Sequence, residues 1–166
     1  MAAHDEGDLE ARLERIERRL ALYDLIATYG PAVDSGSAEA TAGMWSQDGT
    51  YDYGDHTLHG REEIRAMVEG RHHQGLIQEG AAHLLGFPRV QIDGDRAVVT
   101  GYSQVCRRRD GGFELWRVSA NRWELTWDGT RWQVDSRAAY PLDGRDAARV
   151  LLARGVEGGP DGGIRR

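Results

Sequence analysis

Three pairs of β-like runs, each joined by Asp-Gly, constrain this chain more than any other feature. Residues 90–99 read VQIDGDRAVV, residues 107–112 read RRRDGG and residues 123–135 read WELTWDGTRWQVD. Asp-Gly supplies the positive φ angles that a tight turn needs to match the twist of two flanking strands, so each pair predicts an antiparallel hairpin. Trp123, Leu125 and Trp127 alternate with Arg122, Glu124 and Thr126, which gives that strand one buried and one wetter face.

The N-terminal half has a different period. From Leu9, the apolar positions Leu13, Ile16, Leu20, Tyr23 and Ala27 recur at steps of three and four, one stripe of an amphipathic helix with Glu and Arg opposite. Gly30-Pro31 predicts a kink or break just before Asp34, because proline lacks an amide donor and crowds the preceding turn. Ser37 then caps a second short helix running to about Trp45. Gly49 to Tyr53 reads as a first strand, and GDHTLHG after it as a loop. A third helix starts at Arg61, with Ile64, Met67 and Val68 on one face and Glu62 and Glu63 in the first turn, where the helix dipole favours them. His72 continues that apolar face, and His73, nearly opposite, is expected to be solvated. Helices first and a strand meander afterwards make an α+β layout. Residues 1–8 are expected to be disordered, residues 9–154 to form one domain, and the Gly-rich residues 155–166 to form a flexible tail.

Composition narrows the function classes. With 166 residues, 40% hydrophobic, five Trp and six Tyr, the chain has material for a real core. A net charge of −6 argues against a nucleic-acid partner, and the one short basic run, Arg107 to Arg109, ends at a predicted hairpin tip. The single Cys106 cannot form an intramolecular disulfide and sits in a β-like run as a small packed side chain. No leader and no run of about 18 apolar residues is visible, so a soluble cytoplasmic protein without membrane contact is expected. A sheet exposing Trp116, Trp123 and Trp127 would leave a patch that self-association covers, as a homodimer or homotrimer.

Among polar residues, Asp34 in YGPAVDSGS and His83 in AAHLLGFPRV carry the sharpest hypothesis: a carboxylate orienting an imidazole makes a general base. The structural alternatives are a core histidine satisfied by a carbonyl and a turn aspartate bonding Gly36 or Ser37. Tyr29 and Tyr53 serve equally as pocket wall or as hydrogen-bond donors. His56 and His59 form an HxxH in a loop, without the further ligands that a metal site needs, so neither a metal nor a cofactor is expected.

This order of elements, with the strings HLLGFPRVQIDGDRAVV and WDGTRWQVDS, resembles the SnoaL-like (polyketide-cyclase-like) branch of the nuclear-transport-factor-like superfamily over about residues 9–140. The resemblance implies a cystatin-like α+β cone, in which a curved antiparallel sheet is wrapped by about three N-terminal helices around an apolar pocket. It also implies a cofactor-independent lyase akin to scytalone dehydratase, hexachlorocyclohexane dehydrochlorinase and bile-acid dehydratase, acting on a small hydrophobic substrate. By position, Asp34 and His83 match the family's Asp-His pair, and Tyr29 and Tyr53 resemble its pocket tyrosines. Arg137 and Tyr140 are both candidates for a basic position that some relatives use. A polyketide cyclase or isomerase, and a non-catalytic binding or assembly module, are the alternatives that the same resemblance leaves open.

Overall fold

Pro31 does not break the first helix. In the computed structural model, which describes residues 3–157 and side chains from residue 8 onward, α1 runs Ala3–Asp34 with Pro31 inside it. Proline costs one intrahelical bond, but here it falls in the last turn, where Ser35 N–H still donates to Pro31 O at 3.0 Å. The helix takes in residues 3–8, which the sequence reads as disordered. Residues 1–2 and 158–166, the latter most of the expected tail, lie outside the described residues.

The core face of α1 is not the stripe read from the sequence. Leu22, Ile26, Tyr29 and Val33 are buried, while Leu9, Leu13, Ile16 and Leu20, on the other side of the helix, are exposed. The next helix, α2, is short, Ala38–Ala42. Ser37 precedes it without a side-chain cap bond: its Oγ pairs with Ser35 Oγ at 2.8 Å, and its carbonyl accepts the Thr41 amide. Trp45 therefore does not end a helix but opens β1, Trp45–Asp52. Part of the expected loop is also a strand, β2 (Thr57–His59), paired antiparallel with β1.

Helix α3, Gly60–Glu69, buries Ile64 and Val68 and carries Glu62 and Glu63 in its first turn, as its sequence predicts. Gly70, in extended conformation (φ −63°, ψ 145°), then separates it from α4, Arg71–Glu79. That break resets the helical phase, so His73 is buried and His72 exposed, the reverse of what one continuous helix predicts.

All three Asp-Gly hairpins form. They link β4 (Arg89–Asp93) to β5 (Arg96–Arg109), β5 to β6 (Gly112–Trp127) and β6 to β7 (Trp132–Pro141). With β3 (Ala81–Leu85), the sheet order is β2-β1-β7-β6-β5-β3, and β4 takes the rest of the β5 edge. β1 and β7 run parallel; the other pairs are antiparallel. One-residue register shifts at Val105/Cys106 and at Glu124/Leu125 bend the long strands, and the sheet is curved and open at its edges.

The inner face of the sheet packs with α1 to α3 into one core around Trp45, Trp123, Leu125 and Val134. Trp123 and Trp127 belong to this side with Leu125: Trp123 is buried, and Trp127 is half-buried against Trp132 and beneath the Arg18 guanidinium. Of the three tryptophans expected on an exposed face, only Trp116 is exposed. A fifth helix, α5 (Asp146–Glu157), covers the opposite face with Ala148 and Leu151 against Ala120. Gly155, read as the start of a loose tail, is buried so tightly that a Cβ would stand 2.1 Å from Thr100 Oγ1. No helix among the described residues is long and apolar enough to cross a membrane.

Candidate active site

The missing side chain of Gly30 brings α1 and β3 together. A Cβ there would sit 2.2 Å from the carbonyl oxygen of His83, so the strand rests directly on the helix one turn before Asp34. Asp34 then grips His83 at two points. Its Oδ2 accepts the His83 backbone N–H at 2.7 Å, and its Oδ1 accepts Nδ1–H at 2.6 Å. The two side chains are 22% and 13% exposed, respectively. An ionised carboxylate only accepts, so Nδ1 carries a proton, and in the neutral imidazole Nε2 is the nitrogen with the free lone pair.

His83, Tyr29, Tyr53, Met67, Val105 and Arg137 are among the residues around a cavity of about 660 Å³ between the helices and the inner sheet face. That volume suits a ligand of a few fused rings. Three of the four residues singled out from the sequence thus share one cavity, with Asp34 behind His83 rather than in the wall. This placement resolves the five-residue step from Tyr29 to Asp34, about 140° on a straight helix. Tyr29 looks into the cavity, and Asp34 holds the imidazole from the flank.

Tyr29 is buried edge-on to Trp123, with ring centroids 5.5 Å apart. Burial pushes its phenol well above the usual range, with the neighbouring Arg137 charge partly opposing. Tyr53 sits at the rim, edge-on to Tyr51 at 5.4 Å, and its phenol is raised by the same cause to a lesser extent. His73 adds a second imidazole. Its ring centre lies 5.8 Å from that of His83, and Nε2–H donates at 2.8 Å to Val33 O, a last-turn carbonyl of α1 that also accepts the Gly36 amide at 3.1 Å. Of the HxxH, His56 borders the cavity, while His59 immediately precedes α3, its amide donating to Glu63.

Arg137 is the residue the sequence leaves least defined. Its guanidinium is stacked between the rings of Tyr29, Trp123 and Tyr51 at 4.0, 4.1 and 4.4 Å. Nε and Nη2 donate to Asn121 Oδ1 at 3.2 and 2.8 Å. Asn121 is in turn oriented by Ser103 Oγ, which accepts from its Nδ2 at 2.7 Å. Among the described residues no carboxylate pairs with Arg137, and its Nη1 is buried without a hydrogen bond. Tyr140, the other basic-position candidate, lies on the opposite face of β7 and donates to Asp52.

A family match accompanies this geometry: residues 14–138 match the family described as a SnoaL-like domain. Among solved structures, a nuclear-transport-factor-like protein with a cystatin-like fold from Novosphingobium aromaticivorans is 42% identical, covering 88% of this chain and 96% of that one, with a TM-score of 0.86. A Mycobacterium tuberculosis protein of unknown function is 21% identical over 95% of each chain, with a TM-score of 0.68. A second Novosphingobium aromaticivorans protein, provisionally described as an aromatic ring hydroxylase, is 22% identical over 76% of this chain and 90% of that one, with a TM-score of 0.60. The last two likenesses speak for the fold alone. No curated protein matches the sequence.

Proposed function

This chain belongs to the SnoaL-like family, and on that premise we propose that it is a cofactor-independent lyase, most simply a dehydratase, acting on a small hydrophobic polyketide-, steroid- or terpenoid-like substrate. The observation that carries the reading is the two-point grip of Asp34 on His83, which leaves Nε2 free beside an apolar cavity.

In this reading His83 Nε2 removes a proton from the carbon next to a carbonyl, and the electron pair moves to the carbonyl oxygen as an enolate. Asp34 holds the tautomer and stabilises the imidazolium that forms. The enolate oxygen is stabilised by the neutral phenol of Tyr29 and by the fixed charge of Arg137 stacked on that ring. Collapse of the enolate expels the β-hydroxyl, which leaves as water after taking a proton from the imidazolium or, at the rim, through Tyr53. A positioned base contributes about 10² to 10⁴ in rate, and the rest comes from orientation and exclusion of water.

A polyketide cyclase or isomerase would use the same first step, and the His73 ring on the same cavity favours this second reading, because a second imidazole can return the proton to another carbon. The test is deuterium exchange into cyclic ketones in heavy water. Catalysed exchange that disappears in His83→Ala supports proton abstraction, and the mass of the product from β-hydroxy ketones then separates water loss from isomerisation. Exchange equal in wild type and variant overturns the catalytic reading in favour of a binding module. Self-association as a homodimer or homotrimer is part of the same proposal.

A further inference from the structure

The exposed stripe on α1 has no role in the pocket. Leu9, Leu13, Ile16 and Leu20 are 63, 53, 55 and 59% exposed, and they lie on the side of the helix away from Leu22, Ile26 and Val33. Residues 8–17 are exposed all round, so this half of α1 stands clear of the domain. Burying such a stripe is the usual reason for a helix to carry one, and here the domain does not do it.

The spacing is that of a coiled-coil seam. Steps of four, three and four place Leu9 and Ile16 at one core position of a heptad and Leu13 and Leu20 at the other. Tyr23 is the next core position, and Phe87, 86% exposed, stacks on it at 4.8 Å between ring centres, so the apolar line continues onto the body of the domain. The flanking positions separate by sign. Glu10, Glu17 and Asp24 line one side of the seam, and Arg12 and Arg19 line the other. In a parallel pair of identical helices each basic flank faces the partner's acidic flank, Arg12 against Glu17 of the other copy and Arg19 against its Asp24. An antiparallel pair would set acid against acid and base against base. Arg19 already donates one nitrogen to Val90 O at 3.2 Å and Arg12 lies 3.9 Å from Asp8, so Arg12 is the freer of the two to pair across.

We propose that the occupant of this stripe is α1 of a second copy of the chain, packed parallel and in register, with the two catalytic domains on the outer sides of the helix pair. The pairing is independent of the chemistry assigned to the cavity, because no residue of the seam from Leu9 to Leu20 borders it.

Single cysteines in a Cys106→Ser background test the geometry in the full-length protein. Leu13→Cys and Leu20→Cys are each expected to form disulfide-linked dimers under mild oxidation, with Ala11→Cys, on the outer side of the helix, giving far less. Silence of Leu20→Cys, whether or not Leu13→Cys links, overturns the parallel register, since an antiparallel pair brings only the middle of the stripe together. Leu13→Asp/Leu20→Asp is expected to lower the mass in light scattering at unchanged circular dichroism and melting temperature. An unchanged mass overturns the proposal. Glu17→Arg is expected to weaken association several-fold and Arg12→Glu/Glu17→Arg to restore it; a double variant no better than the single one rejects the charge pairing.

Discussion

His83 and Arg137 border one cavity and are held there by opposite means. His83 sits on the edge strand β3, its side chain 13% exposed, with a full carboxylate on its Nδ1. Arg137 sits on the inner strand β7, 3% exposed, with three aromatic rings and a neutral amide in place of a counter-ion. A buried charge without a partner costs several kcal/mol, and cation–π contacts of about 2 kcal/mol each when desolvated offset part of that. In the proposed reaction this difference assigns labour: the imidazole exchanges the proton, and the guanidinium keeps a fixed charge. A substrate that gains negative charge as it loses a proton uses both.

The comparison breaks most sharply at His83. His83→Ala is expected to cut turnover by about 10² to 10⁴ while the melting temperature stays near wild type, because the residue lies on an edge strand and Asp34 keeps its bond to the backbone N–H at position 83. Turnover that survives together with the fold would end the proton-transfer role. At the other wall, Arg137→Met is expected to cost about 10² to 10³ in kcat, the range of one lost oxyanion-stabilising group, with Arg137→Lys recovering part of it by restoring the charge. The melting temperature is less affected, since a buried charge is removed along with the bonds to Asn121. A variant that keeps its kcat but melts early would make Arg137 a core residue and no more.

Gly30→Ala sharpens the contrast by acting on one wall alone. In an ordinary helix interior this change stabilises by about 1 kcal/mol. Here the new Cβ meets the His83 carbonyl, so the strand must move off α1, and loss of both stability and turnover is expected. A displacement of about 1 Å at a reacting group can cost about 10²-fold in rate. A more stable and fully active Gly30→Ala protein would show that the close approach does not position the imidazole.

How much of this was legible in the sequence follows the physics of each element. The Asp-Gly hairpins were, because their signal is local. So was the Asp34–His83 pair, through resemblance to a family and not through spacing, since 49 residues separate the two. The core face of α1 was not. The outer stripe Leu9 to Leu20 is as periodic as the inner one, and only tertiary packing decides which is buried. His73 was misread because one extended glycine reset the phase between two helices. Arg137 was hidden by a single residue. Val134 pairs with Leu125 and Ser136 with Glu124, so Asp135 is an extra residue in β7, and the inward positions shift from Trp132 and Val134 to Arg137 and Ala139. Strict alternation would have put Arg137 outside.

Tyr140 gives the smallest effect and the cleanest control on Arg137, being three residues further along the same strand but on the other face. Its hydroxyl donates to the Asp52 carboxylate, and that bond, with burial next in importance, raises its pKa from 10.0 to about 12. A pKa raised on folding means that the folded state keeps the proton where the unfolded chain has lost it. The contribution is therefore complete below pH 10 and is lost as pH rises toward about 12. Wild type is expected to lose stability more steeply over that window than Tyr140→Phe, while turnover at neutral pH stays the same in both. Tyr29, also raised by burial, adds its own alkaline slope to each protein and cancels in the difference. Denaturant titrations at successive pH values read the slope directly. Parallel curves would mean that the Asp52 bond does not hold the phenol proton, and a fall in turnover at neutral pH would place Tyr140, and not only Arg137, among the groups that the cavity depends on.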